Sequence, residues 1–74
     1  MIYNFSAEIS WDNEIQQYIG IVPGLPGAHT QAATIDELHK NLQDVVRLCM
    51  EELTNEEKAE LPRYIGTHTI SIAV

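Results

Sequence analysis

The sequence predicts an α+β fold of two layers. Its element order is β-β-β-α-β: a mixed four-stranded sheet of strand order 3-2-1-4, with one long helix on one face. Three observations lead there. Apolar residues alternate with period two near both ends of the chain, which is the signature of half-buried strands. A Pro- and Gly-rich loop, Pro23-Gly24-Leu25-Pro26-Gly27, separates two short β-forming runs. Between Ile35 and Leu53 the apolar residues recur at helical spacing instead. The 74 residues make one small domain, 1–74. A chain of this size buries only ~60% of the surface its unfolded state exposes, so the core is thin.

From Ile2 to Trp11, residues Tyr3, Phe5, Ala7, Ile9 and Trp11 fall on one face and Ile2, Asn4, Ser6, Glu8 and Ser10 on the other. This is a strand with one buried face. Asp12-Asn13-Glu14 is a turn signal. Ile15 to Val22 follows as a second strand, rich in β-formers, with apolar residues on both faces; that pattern suits a central strand or one with a protein partner. Gly20 within it predicts a close backbone approach. In the loop, two prolines restrict φ while Gly24 and Gly27 permit positive φ. Ala28 to Ala33 is a short third strand with Ala28, Thr30 and Ala32 on one face.

Thr34 is a good helix N-cap, and Glu37 three residues later makes a capping box. Asp36 and Glu37 also suit the positive end of the helix dipole. Ile35, Leu38, Leu42, Val45, Val46, Cys49 and Leu53 form the buried stripe. Thr54 or Asn55 caps a second, short helix over Glu56 to Glu60, which Pro62 ends. From Tyr64 the strand pattern returns, with His68, Ile70, Ile72 and Val74 alternating with Thr69, Ser71 and Ala73. Two hairpin steps and a right-handed helical crossover then give the 3-2-1-4 order.

Charge narrows the function. Eleven acidic against four basic residues give a net charge of -7. Phosphate backbones require a basic face, so direct nucleic-acid binding is not expected. A basic protein partner is. The single Cys49 excludes an internal disulfide framework and suits a reducing compartment. There is neither a signal-peptide pattern nor a membrane-length apolar run, and a cytoplasmic protein is expected.

Few residues carry chemistry. His29, His39 and His68 have no ligand spacing relative to one another and read as structural or solvated groups, so neither metal nor cofactor is expected. Cys49 lies in the apolar stripe and reads as a core thiol. Glu8 with Asp36 or Glu37 is the only seed for two-metal nuclease chemistry; the further acids it needs are missing, so no enzyme is expected. Trp11 and Tyr18 read as packing aromatics. The more distinctive feature is the run Glu51, Glu52, Glu56, Glu57 and Glu60, interrupted in sign only by Lys58. It reads either as a solvated helix end or as a docking face for a basic partner. The thin core and the open sheet edges favour a homo-oligomer, a dimer first.

One segment is more specific. Gly20-Ile21-Val22-Pro23-Gly24-Leu25-Pro26-Gly27-Ala28-His29-Thr30-Gln31, followed by Ala33-Thr34-Ile35-Asp36-Glu37-Leu38, resembles the HicB antitoxin family. There a strand runs into a proline, an LPGC-H/T loop, a short strand and a T-x-E-E-A helix start. The resemblance covers about residues 3 to 53, with Ala28 standing where the family often has cysteine. It implies a truncated RNase H-like domain, and a protein that neutralises a small basic RNA-cleaving toxin of the HicA type by occluding it. Many members append a helix-turn-helix or ribbon-helix-helix; no such pattern is seen here, so operator contact by this chain is not expected. The alternative is a stand-alone regulatory or structural binding domain with a non-toxin partner.

Overall fold

A computed structural model of the chain describes residues 2–63 and 65–74. Its elements are β1 (Glu8–Asp12), β2 (Gln17–Ile21), β3 (His29–Ala32), α1 (Ile35–Glu52) and α2 (Asn55–Ala59). The sheet is antiparallel throughout, in the order β1-β2-β3. β2 is therefore the central strand; α1 covers one of its faces, and Ile21 on the other face is exposed. The expected fourth strand is not formed. Residues 65–74 pair with no strand, and Ile65, Ile70, Ile72 and Val74 are all exposed. Tyr64, where that strand was expected to begin, lies outside the described residues. The sheet is thus three-stranded rather than four-stranded and mixed. Alternation marks a segment as fit for a sheet; it does not say which of the free edges, β1 or β3, the segment pairs with.

Strand ends also differ from the expected ones. Of the first alternating run only Glu8 to Trp11 pairs with β2, and the strand continues one residue further, to Asp12. Asp12 Oδ1 accepts from the backbone N–H of Glu14 at 2.9 Å and of Ile15 at 3.4 Å, and the turn runs over residues 13–16. Gln16 closes the turn at φ 55°, its amide donating to Asn13 O at 2.7 Å. β2 consequently begins at Gln17, not Ile15, and Ile15 is exposed.

After β2 the Pro/Gly loop folds back on itself. Val22 N–H donates to Ala28 O at 2.8 Å and Ala28 N–H to Leu25 O at 3.2 Å. Gly24 and Gly27 adopt φ of +82° and +79°, as their positions in the loop predict. The loop drives Leu25 inward, into a core made with Val22, Ala28, Ala32, Leu38 and Leu42. The sequence pattern did not mark Leu25.

Thr34 caps α1, its hydroxyl accepting from Glu37 N–H at 3.2 Å. The reciprocal half of the expected capping box is not made there. Leu38 is fully buried and Leu42 nearly so, while Val45, Val46, Cys49 and Leu53 pack half-buried against them. Ile35 departs from the stripe and is exposed. Gly20 explains how closely the helix sits: a Cβ there would lie 2.9 Å from Leu42 Cδ1.

α1 packs mainly over β3 and β2. A helix about 10 Å across covers roughly two strands spaced ~4.8 Å apart. The small residues Gly20, Thr30 and Ala32 draw it to that side. β1 is left uncovered. Ile9 and Trp11, opposite Gly20 and Tyr18 in the register, share the helix-side face, yet they are 51% and 46% exposed. Trp11 is supported only edgewise by Tyr18, with ring centroids 4.7 Å apart. Ile9 and Trp11 thus lie on the face that their alternation predicts, but α1 does not reach far enough to bury them.

Candidate functional site

The ladder sets the ends of the molecule. Ala32, Tyr18 and Trp11 align at one end of the sheet, and His29, Ile21 and Glu8 at the other. α1 starts at the first end and runs back toward the Pro/Gly loop, where Cys49 Sγ lies 3.9 Å from the Cβ position of Gly27. The acidic residues lie beyond that point. Glu51 and Glu52 end α1, Glu56 and Glu57 open α2, and Glu60 caps it.

α2 is held in place from both sides. Leu53 and Leu61 flank it and pack against the core. Thr54 supplies a complete capping box: its hydroxyl accepts from Glu57 N–H at 3.1 Å, and Glu57 Oε1 accepts from Thr54 N–H at 2.9 Å. None of the residues of α2 is buried. Leu61 and the cap fix its outline, and the five glutamates all face solvent.

Their electrostatic settings differ. Glu56 and Glu57 sit at the positive end of α2, where acids are favoured. Glu51 and Glu52 sit at the negative end of the 18-residue α1, whose last turn holds no basic residue. Like charge there gains nothing from the dipole. Among the described residues the ion pair found is Asp44 with Arg47, 3.9 Å apart and exposed, so none of the five acids is paired. The fold accounts for Glu57 through the cap and for Glu56 through the dipole. It gains nothing from Glu51, Glu52 or Glu60.

The remaining candidates stand apart. His29 is exposed on β3, His39 on α1 and His68 in the C-terminal segment. Among the described residues no three His, Cys, Asp or Glu side chains are grouped to hold a metal. Glu8 lies at the loop end of the sheet, whereas Asp36 and Glu37 open α1 at the opposite end. Cys49 is half-buried against the core. One feature had no sequence signal: a cleft of about 370 Å³ where the N-terminal segment meets the chain after α2, lined by Phe5, Ser6, Glu8, Gly24, Pro62 and Arg63 among others. No helix among the described residues is long and apolar enough to cross a membrane.

The chain is 42% identical over 68 residues to a UPF0150 protein of Thermotoga maritima, a match covering 92% of this chain and 88% of that protein. It belongs to the UPF0150 family. The match leaves at most six residues of the chain outside it, so it spans every strand and helix from Glu8 to Ala59. UPF0150 proteins of Synechocystis and Archaeoglobus fulgidus are 40% and 36% identical over 55 residues, in each case 74% of this chain and 75% of the relative. No family model and no solved structure matches the sequence. UPF0150 membership thus rests on relatives of comparable length.

Proposed function

We propose that this UPF0150 chain is a protein-binding module. In this reading it neutralises a small basic RNA-cleaving toxin of the HicA type by covering its RNA-binding surface. Glu51, Glu52, Glu56, Glu57 and Glu60 steer the encounter. The observation that carries the reading is the exposed, unpaired acidic shoulder, two of whose members sit at the wrong end of a helix dipole. A toxin that grips RNA presents cationic surface, and an acidic surface competes for it. The resemblance of the Pro/Gly loop and helix start to the HicB family suggests the same reading. The chain then needs no cofactor and performs no catalysis, and the unpaired Cys49 suits a reducing cytoplasm. The truncated RNase H-like arrangement that goes with the resemblance requires a fourth strand beside β1.

The test is co-expression with a basic toxin encoded beside this gene, followed by binding at two salt concentrations. Because Glu57 belongs to the cap, the charge-reversal variant combines Glu51→Lys, Glu52→Lys, Glu56→Lys and Glu60→Lys. Wild-type protein is expected to restore growth. The variant is expected to associate about tenfold more slowly at low salt and to lose most of the salt dependence. Failure of the wild type to restore growth overturns the toxin reading.

A second reading is a stand-alone binding domain with a non-toxin partner. The matched 68 residues make up 88% of the Thermotoga protein, which suits a domain that stands alone in that relative. Absence of a basic neighbour, together with capture of a different acid-binding partner by the wild type and not by the charge-reversal variant, would favour it.

A further inference from the structure

We propose that residues 67–74 of one copy of the chain pair as a fourth strand along the open β1 edge of a second copy. The inference is independent of the toxin reading. β1 is an edge strand of five residues, and its backbone groups facing away from β2 have no ladder. Natural edges are usually guarded by lysine, proline or a covering element. Glu8-Ile9-Ser10-Trp11-Asp12 has neither lysine nor proline; its charges, Glu8 and Asp12, stand at the two ends on the face away from α1 and leave Ile9, Ser10 and Trp11 unguarded. α1 does not cover this strand as it covers β3. The other edge, β3, has its helix side filled by Ala32 under α1.

The C-terminal segment has the complementary pattern. His68, Ile70, Ile72 and Val74 form one side, Thr69 and Ser71 the other. β1 shows the same division: Ile9 and Trp11 on the helix side, Glu8, Ser10 and Asp12 on the opposite side. Laid beside β1 with apolar against apolar, Ile70 and Ile72 fill the uncovered space next to Ile9 and Trp11, and the serine and threonine join the polar face. β-branched residues that are 73% and 77% exposed, as Ile70 and Ile72 are, gain most from such a place. The segment from 65 to 74 carries no Asp, Glu, Lys or Arg. It therefore brings no side-chain charge against a partner of net charge -7.

The occupant is a second copy because the chain does not place this segment on its own edge. The segment leaves the domain beside the start of β1, where Ile65, Gly66 and Thr67 share a cleft with Asn4, Ser6 and Glu8. It nevertheless makes no strand pairing there. The radius of gyration is 14.1 Å, against about 11 Å for a compact chain of this length, and the long axis reaches 42 Å. Eight extended residues reach ~26 Å, more than the ~17 Å of a five-residue strand. Each copy carries one donor segment and one acceptor edge, and reciprocal exchange between two copies satisfies both in a closed two-fold pair.

The experiment is sedimentation of the full chain at micromolar concentration, with circular dichroism and thermal melting of every variant. The wild type is expected at twice the 8.3 kDa chain mass. A donor-defective variant, Ile70→Asp with Ile72→Asp, is expected to be monomeric with an unchanged helix signal, because those side chains are exposed within the protomer. An acceptor-defective variant, Ile9→Lys with Trp11→Lys, is expected to be monomeric too. Mixing the two is expected to restore dimer, since each supplies what the other lacks. A monomeric wild type, a donor-defective variant that stays dimeric, or folded monomers that fail to complement on mixing would each overturn the proposal.

Discussion

Gly20 and Leu42 offer a two-residue test of how the helix is seated. A Cβ at Gly20 would meet Leu42 Cδ1 at 2.9 Å, Cδ2 at 3.1 Å and Cγ at 3.2 Å. The branch carbon itself is close, so rotating the end of the side chain does not clear the contact. Leu42 is 8% exposed and packed against the core, so the helix has to move instead. Overpacking of this kind costs about 1–3 kcal/mol. The backbone works the other way: Gly20 has no positive φ, and alanine is preferred to glycine inside a strand by about 0.5–1 kcal/mol. Gly20→Ala alone is therefore expected to destabilise by about 1 kcal/mol net. In a Leu42→Ala background, itself weakened by ~2–5 kcal/mol, the obstruction is gone and the same change is expected to stabilise by about 0.5–1 kcal/mol. The assay is a double-mutant cycle from urea unfolding followed by circular dichroism. All four proteins are measured in one sulfate-containing buffer, which keeps the weakest of them folded. The expected result is a change of sign between backgrounds. Additive effects, with Gly20→Ala costing the same in both, would refute the close seating of α1 on β2.

Gly24→Ala is expected to cost more than Gly27→Ala in thermal melts. Both have positive φ, worth ~1–2 kcal/mol to a side chain, but a Cβ at 24 would also lie 3.0 Å from Pro62 Cγ, whereas the nearest atom at 27 is Cys49 Sγ at 3.9 Å. Thr54→Ala removes the complete cap of α2 and is expected to cost ~1 kcal/mol, read as faster amide exchange across residues 55–61 with α1 unchanged. Leu38→Ala, at the fully buried position, is expected to cost ~2–5 kcal/mol in urea unfolding, while Ile35→Ala, exposed though in the same stripe by spacing, is expected to stay within about 0.5 kcal/mol.

Several features were legible without coordinates because their causes are local. Thr34 and Thr54 cap helices through atoms three residues away, so sequence spacing alone contains the geometry. Gly24 and Gly27 take the left-handed conformations that a loop of alternating proline and glycine calls for. The helical stripe from Leu38 to Leu53 and the central place of β2 followed from apolar periodicity, because period records which side chains share a face. The acidic run was visible as composition, and its exposure follows from charge. What periodicity does not contain is how far a covering element extends. The tertiary structure decided that α1 lies over β3 and β2, because Gly20, Thr30 and Ala32 let it approach there. Ile9, Trp11 and Ile35 thereby became exposed although the sequence placed them on buried faces. It decided that Leu25 enters the core, since a loop side chain has no period to read. It also left Ile70, Ile72 and Val74 without a strand beside them. A β-pattern states the need for a partner edge, and which edge meets it is a long-range matter that the pattern does not contain.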